Sequence, residues 1–427
     1  MTPPLPSPAL SPRRPLRTLF LHQGFPGQFA HLAPALAERS GVQVFSLGEK
    51  DIPQLPGVRH MHYGAVRPAG AQSHHYVQPL EAAVRRGQAV AKRLMQAKES
   101  GFNPDLIVCH GGWGEALYLK DIFPEARTLH YCEFYYHAAG QDVGFEPDKP
   151  ASLDEAARVR TMNATQLLSL QTADWGISPT AWQRSRYPDW AQRRISRVHD
   201  GIDTQRCAPR DGVRFRTPSG QEFRKGDPVI SFAARHLEPY RGLQSFLGAL
   251  ALLQKEKPEL HAVIAGGDEG GYGAKPPNAA TWREALLGAM AGQLDLSRIH
   301  FTGMLAHDAL HALFRVTAAH VYLTYPFVLS WSVLEAMACG AVVIGSDTPP
   351  VAEVVAHGEN GLLAPFWDPP AIAASVLGVL NDPAGHAHLG AAARATIQQR
   401  YDLFGICLPR QLDIIEHVAA GKEPDAP

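Results

Sequence analysis

Between Phe327 and Asp347 the chain reads FVLSWSVLEAMACGAVVIGSD. The spacing predicts a loop, a helix starting near Ser330, a Cys-Gly stop and a buried strand. Glu335 is the only acid before the last residue, about one turn into that helix. A carboxylate at this place can accept hydrogen bonds from two vicinal hydroxyls, such as those of a ribose. Its neighbours Val333, Leu334, Ala336, Met337 and Ala338 make the helix largely buried, and a buried carboxylate needs partners. This weighs against the alternative of a solvated helix acid. The backbone around Leu329, Ser330, Trp331 and Ser332 offers free N–H groups at the positive end of the helix, which suit phosphate oxygens.

A second basic feature lies upstream. ARHLEPYRGL follows a strand-like VISFAA and places Arg235 and Arg241 six residues apart across a Glu-Pro turn. Two guanidiniums at a strand–helix junction suit a diphosphate, which they can meet with paired hydrogen bonds. The competing reading is a surface arginine paired with Glu238. VIAGGDEGGYG is a glycine cluster after a strand and is weak evidence alone. In FTGML, Gly303 and Met304 could offer backbone groups to a flat base, or could simply end a strand.

In the first half, HQGFPGQFAHLA follows the first strand. Gly24 and Gly27 would let the backbone approach a ligand, or would serve a tight turn. It is not the dinucleotide Gly-x-Gly-x-x-Gly fingerprint, which argues against a nicotinamide dehydrogenase. LIVCHGGWGEALYLKD and LHYCEFYYHAAGQDVGFEPD end two later strands. They bring His110, Trp113, Glu115, Glu133, Tyr135, Tyr136 and Asp142 toward one edge. Aromatic faces and carboxylates suit sugars, although a lone histidine such as His110 is more often structural. His110, His130 and His137 match no compact metal site, so no metal is expected.

These residues need elements to hold them. Apolar runs alternate with helical stretches along the chain, which implies α/β architecture with parallel sheets covered on both faces. The alternation restarts at GDPVISFAARH after a polar, strand-poor stretch near 205–225. The expected division is a Pro-rich disordered tail over 1–16, a Rossmann-like domain over 17–205 and a second over 206–400. A helix within 401–427 would then pack across the junction. Ligands of such sheets bind where strand C-termini meet helix N-termini.

With 45% apolar and 19% charged residues and a net charge of -1, the 427-residue chain carries no basic footprint for nucleic acid. Five scattered cysteines without a Cys-x-x-Cys pair fit a reducing compartment. No apolar run reaches the ~20 residues of a membrane span. TLFLH after Arg13 and Arg14 is too short for a signal segment and reads as a strand. The expected location is cytoplasmic, with room for peripheral contact at the inner face of a membrane.

Taken together, Arg235, Arg241 before Gly, FTG, LEAMACG, SDTPPVAEVVAHGENGLL and VHDGID resemble the retaining glycosyltransferases of family four. The resemblance covers nearly the whole chain. It implies the GT-B fold: two Rossmann-like, doubly wound domains facing a cleft. It also implies transfer of a hexosyl group from a nucleotide-diphosphate-sugar, UDP- or GDP-linked, to a glycan, lipid-linked or small-molecule acceptor hydroxyl, with no required cofactor. By position, Arg235 and Arg241 fall on the Arg and Lys that bind the diphosphate. Glu335 falls on the acid that holds the ribose, and the backbone of 329–332 on the loop that contacts phosphate and sugar. The loop at Gly24 and Gly27 corresponds to the one bordering donor phosphates and acceptor. Glu133 stands where relatives often carry a histidine touching the donor sugar. Two positions depart from the family: Arg241 replaces its Lys, and Phe327 replaces the first acid of its Glu-x7-Glu pair. The departure at Phe327 keeps a non-catalytic nucleotide-sugar-binding scaffold as an alternative, and within enzymes the alternative is another GT-B activity such as a sugar-nucleotide epimerase.

Overall fold

The computed structural model describes residues 14–424. The greater part of the expected disordered tail, and Arg13, lie outside the described residues. Arg14 pairs with Asp105, and the first strand begins at Leu16.

Seven parallel strands form the first sheet: β1 (Leu16–Leu21), β2 (Val42–Gly48), β3 (Val58–His62), β4 (Leu106–His110), β5 (Arg127–Tyr131), β6 (Trp175–Ser178) and β7 (Ile195–Arg197). Their order is β3-β2-β1-β4-β5-β6-β7. β4 is LIVCH, buried at every residue, as expected for a strand covered on both faces. The strand order reverses between β1 and β4, so a crevice opens at their C-terminal ends.

The stretch 205–225, expected to be strand-poor, instead contains an antiparallel hairpin, β8 (Arg214–Arg216) and β9 (Glu222–Arg224). Phe215 pairs with Phe223, and both are buried in the core of the second domain. The repeated charge–Phe–charge triplet is a two-residue period, hidden in the sequence by its arginines.

The second sheet has six parallel strands: β10 (Val229–His236), β11 (His261–Gly267), β12 (Ile299–Gly303), β13 (Ala319–Tyr322), β14 (Val343–Ser346) and β15 (Leu362–Ala364). Their order, β12-β11-β10-β13-β14-β15, places a second reversal between β10 and β13. The helix Leu243–Glu256 follows β10 and buries Leu243, Phe246, Leu247 and Leu250 against the sheet. The two sheets present their crevices to a common cleft.

The chain crosses between domains twice, and the crossings are tied together. Ile202 N donates to Tyr401 O at 2.8 Å, and Leu403 N donates to Ile202 O at 2.9 Å. Gly201 has φ +93°, and a Cβ there would lie 2.7 Å from Leu403 Cα, so this position needs glycine. The helix Pro383–Arg400 stays on the second domain through Ala393 and Ile397. The helix Leu408–Ala419 returns to the first, where Leu412 and Ile415 share a core with Phe29, Leu32 and Leu36. No described helix is long and apolar enough to cross a membrane.

Candidate functional site

Between the domains lies a cavity of about 310 Å³. Its wall on the second domain comes from the ends of β10, β11 and β12 and from the start of the helix Trp331–Ala338. Arg235, Arg241, Met304, Leu329, Ser330, Trp331, Ser332 and Glu335 all line it. Gly303 ends β12 just behind Met304.

Arg241 sits in a short turn, Pro239–Arg241, whose geometry comes from Glu-Pro before it and Gly242 after it. The guanidinium donates to Thr324 Oγ1 at 2.9 Å and to Val328 O at 3.1 Å, and lies over the rings of Tyr272 and Phe327. Arg235 is exposed to the cavity. Neither arginine has a carboxylate partner among the described residues. Glu238 is not available for pairing. It is buried, and its carboxylate accepts from Tyr272 N at 2.9 Å and Gly273 N at 3.1 Å, tying down the glycine-rich loop. Two uncompensated cations on one wall attract an anion.

The helix Trp331–Ala338 has Ser330 at its N-cap position, but no side chain caps it. Ser330 N donates to Tyr322 OH at 2.9 Å, which orients the turn. The next N–H groups face the cavity end of the helix, where the dipole favours negative charge. Val333, Leu334, Ala336, Met337 and Ala338 are buried, so the hydrophobic face fixes the helix and leaves Glu335 at the cavity edge. Glu335 Oε1 lies 3.7 Å from His311 Nε2 and 3.8 Å from His307 Nδ1. Burial disfavours the charged form of His311, but Cys207 and Glu335 outweigh it and raise the imidazole to about 9.

From the first domain, Glu133 faces these groups. Its Oε1 accepts from Gln28 Nε2 at 2.9 Å, and its Oε2 lies 3.3 Å from His110 Nε2. Burial opposes the Glu133 charge, but the hydrogen bonds and positive fields of its neighbours hold the carboxyl below its ordinary value. His22 bonds Gln28 at 2.6 Å, and burial together with His110 lowers its imidazole to about 4. His22, Gln28, Glu133 and His110 therefore form one connected chain.

The remaining residues singled out in the sequence do not line this cavity. Gly24 and Gly27 lie under His22; a Cβ at Gly27 would approach the His22 ring to 2.4 Å, so this glycine makes room for a histidine. His110 stacks on Trp113 with ring centroids 3.7 Å apart, one layer behind Glu133. Glu115 is buried beside Arg86 and accepts from Tyr63 OH at 3.1 Å, away from the cleft. Burial raises its carboxyl. Tyr135 packs on Tyr187, and Tyr136 lines a smaller, separate pocket with His110 and Trp113. Asp142 accepts from Tyr240 OH at 2.8 Å and so bridges the domains.

Among the cavity residues that the sequence did not single out are Gln28, Asp200, Tyr272 and His307. Asp200 is the most informative. Its Oδ2 accepts from Trp331 Nε1 at 2.9 Å and from Tyr131 OH at 3.0 Å, joining both domains at the head of the helix Trp331–Ala338. Burial raises its carboxyl to about 7. The motif VHDGID contained it, but only the folded chain puts it beside Trp331.

Phe327 fills the space where the resemblance would place an acid. It is 6% exposed and packs with Phe134 and Trp182 of the first domain. Tyr272 lies 4.8 Å away across a tilted ring pair.

Two doubly wound sheets, each open at its switch point to a shared cleft, define a GT-B protein. Family comparison carries the assignment further. Residues 40–207 match the description "Glycosyl transferase family 4 group", and residues 215–396 match "Glycosyl transferases group 1". The chain belongs to the family-four glycosyltransferases. It is 28% identical to a D-inositol 3-phosphate glycosyltransferase of Streptomyces avermitilis over 49% of this chain and 44% of that protein. It is 28% identical to a glycogen synthase of Mycobacterium tuberculosis over 74% of this chain and 70% of that one. The chain spans about half the length of the inositol-phosphate relatives it matches. Among solved structures, the sucrose-phosphate synthase of Thermosynechococcus elongatus aligns with TM-score 0.68 and 18% identity, covering 95% of this chain and all of that one. Anabaena HepE with UDP and glucose aligns with TM-score 0.62 and 16% identity, covering 93% and 98%. Both likenesses show the shared fold.

Proposed function

We propose that this chain transfers a hexosyl group from a nucleotide-diphosphate sugar to an acceptor hydroxyl, with retention at the anomeric carbon. The observation that carries the reading is the pair of guanidiniums, Arg235 and Arg241, neither with a carboxylate partner among the described residues, on the same cavity wall as a helix N-terminus that no side chain caps. The diphosphate gains charge as the sugar–oxygen bond breaks. Cations and N–H groups already aimed at it stabilise that charge without reorganising. Glu335, about one turn along the same helix, takes the ribose hydroxyls. Glu133, held anionic opposite, binds sugar or acceptor hydroxyls from the first domain. In a front-face route, the one proposed for such enzymes, a donor phosphate oxygen takes the acceptor proton, and no protein nucleophile is required.

The donor classes that fit are UDP and GDP sugars, and HepE, of the same fold, was solved with UDP and glucose. A glycan, lipid-linked or small-molecule hydroxyl completes the reaction. The expected division of labour is donor on the second domain and acceptor on the first.

The test is UDP and GDP binding by thermal shift, then turnover of the matching sugar nucleotides with the product anomer read by NMR. Arg241→Ala should reduce turnover about 10²–10³-fold, the usual cost of removing one donor to a developing anion. Arg235→Ala, at an exposed position where truncation leaves the fold intact, should lower turnover as well. Wild-type-like turnover in both variants would remove the diphosphate assignment. Nucleotide binding without turnover of any sugar nucleotide would favour a binding subunit, the reading that Phe327 supports.

A further inference from the structure

The nucleoside end of the cavity contains a second set of donor atoms. Cys207 lies just past the first domain crossing, His311 on the helix His307–Val316 and Glu335 on the helix Trp331–Ala338. Cys207 Sγ is 3.4 Å from His311 Nε2, and His311 Nε2 is 3.7 Å from Glu335 Oε1. One ligand atom from each of the three residues falls within 4.8 Å of the others. Tetrahedral zinc, with bonds of about 2.0–2.3 Å, needs donor–donor edges of about 3.3–3.7 Å. Two edges therefore stand near the required length already. His307, one helical turn before His311, turns the same way, with Nδ1 3.8 Å from Glu335 Oε1. His307 and Glu335 both line the cavity, so an ion can enter from the cleft.

We propose that Cys207, His311 and Glu335 bind a zinc-class divalent cation, with His307 closing the fourth position, and that the bound ion excludes the nucleoside. The exclusion rests on the reading of Glu335 as the ribose ligand. A thiolate, imidazoles and one carboxylate suit zinc and disfavour magnesium, which seeks oxygen donors. Binding sends the Cys207 thiol proton and the His311 imidazolium proton to solvent. His311 Nδ1 is buried without a partner, so no outer acceptor orients the ring. Such support typically strengthens a site by about 10–100-fold. The site is accordingly that of a reversible inhibitor, not a permanent structural ion. Cys207, His311 and Glu335 are separated by 104 and 24 positions in the chain (311 − 207 and 335 − 311), which is why no metal motif shows in the sequence.

The experiment uses the full chain with Co²⁺ as a spectroscopic substitute and Zn²⁺ in competition with a chromophoric indicator. The expected result is one ion per chain with a thiolate-to-cobalt absorption band, displaced by Zn²⁺ and not by Mg²⁺. Cys207→Ser should abolish the band and weaken Zn²⁺ binding about tenfold or more, with the UDP thermal shift unchanged. His311→Gln provides a second variant should the first unfold. Rising Zn²⁺ should raise the apparent Kd for UDP in wild type and not in Cys207→Ser. Absence of the cobalt band in wild type, or Zn²⁺ affinity unaffected in both variants, overturns the site. A metal-bound protein with unchanged UDP affinity overturns the exclusion. Failure of the metal-free protein to bind any nucleoside diphosphate instead counts against the donor reading, and the cobalt spectrum reports on the ion independently.

Discussion

Asp200 couples ionisation to the contact between the domains. Burial raises its carboxyl from 3.8 to about 7, because water is excluded and the two hydrogen bonds it accepts only partly offset that cost. The folded chain keeps the proton across this range, while the unfolded chain releases it near 3.8. The native state thus binds more protons between the two values, and stability falls as pH rises through that window. The contribution is complete below about 4 and lost above about 7. At ~1.36 kcal/mol per pH unit the full effect is at most about 4 kcal/mol. Asp200→Asn is nearly isosteric. Its amide oxygen can still accept from Trp331 and Tyr131, and its NH₂ replaces Oδ1, which is buried and unpartnered. Wild type and variant should therefore melt alike at pH 5. At pH 8 the variant should be the more stable, by up to about 4 kcal/mol. Thermal unfolding at both pH values, with nucleotide absent, measures the difference. A gap between the proteins that does not change with pH would refute the buried-acid argument.

Two further perturbations probe the contact between domains. Glu353 accepts from Ala181 N and Trp182 N, both at 2.8 Å, at the start of the helix Ala181–Ser185 in the other domain. Glu353→Ala should weaken this contact between the domains by about 2 kcal/mol, a roughly 30-fold change in any equilibrium between joined and parted domains. Small-angle scattering should show a larger radius of gyration, and an unchanged radius together with an unchanged KM would count against the latch. Phe327→Ala should lower stability by about 3 kcal/mol through loss of packing shared with Phe134 and Trp182. An unaltered melting temperature would show that the cluster contributes no cohesion.

Much of the fold could be read from local pattern. Strands such as LIVCH and VISFAA are continuous apolar runs because parallel strands are buried on both faces. The helix Trp331–Ala338 could be placed to within a residue because Ser330, a polar N-terminal residue, and Cys-Gly, a stop, bracket an apolar face. The hairpin at Arg214–Arg216 and Glu222–Arg224 escaped notice because each strand presents a single apolar residue among charges.

The site divides along the same line. Sequence alone singled out Arg235, Arg241, Glu335 and the helix start, because each lies within one strand–turn–helix unit whose geometry is local. Tertiary structure alone decided which groups face them. Asp200 reaches Trp331 across 131 positions, and Cys207 reaches His311 across 104. Glu115, Tyr135 and Asp142 lie on the segments that follow β4 and β5, yet they turn to Arg86, Tyr187 and Tyr240. A strand end sets where a side chain starts. Its direction, and whether it meets ligand or a buried partner, depends on loops and on the second domain, whose approach leaves no periodic trace in the sequence.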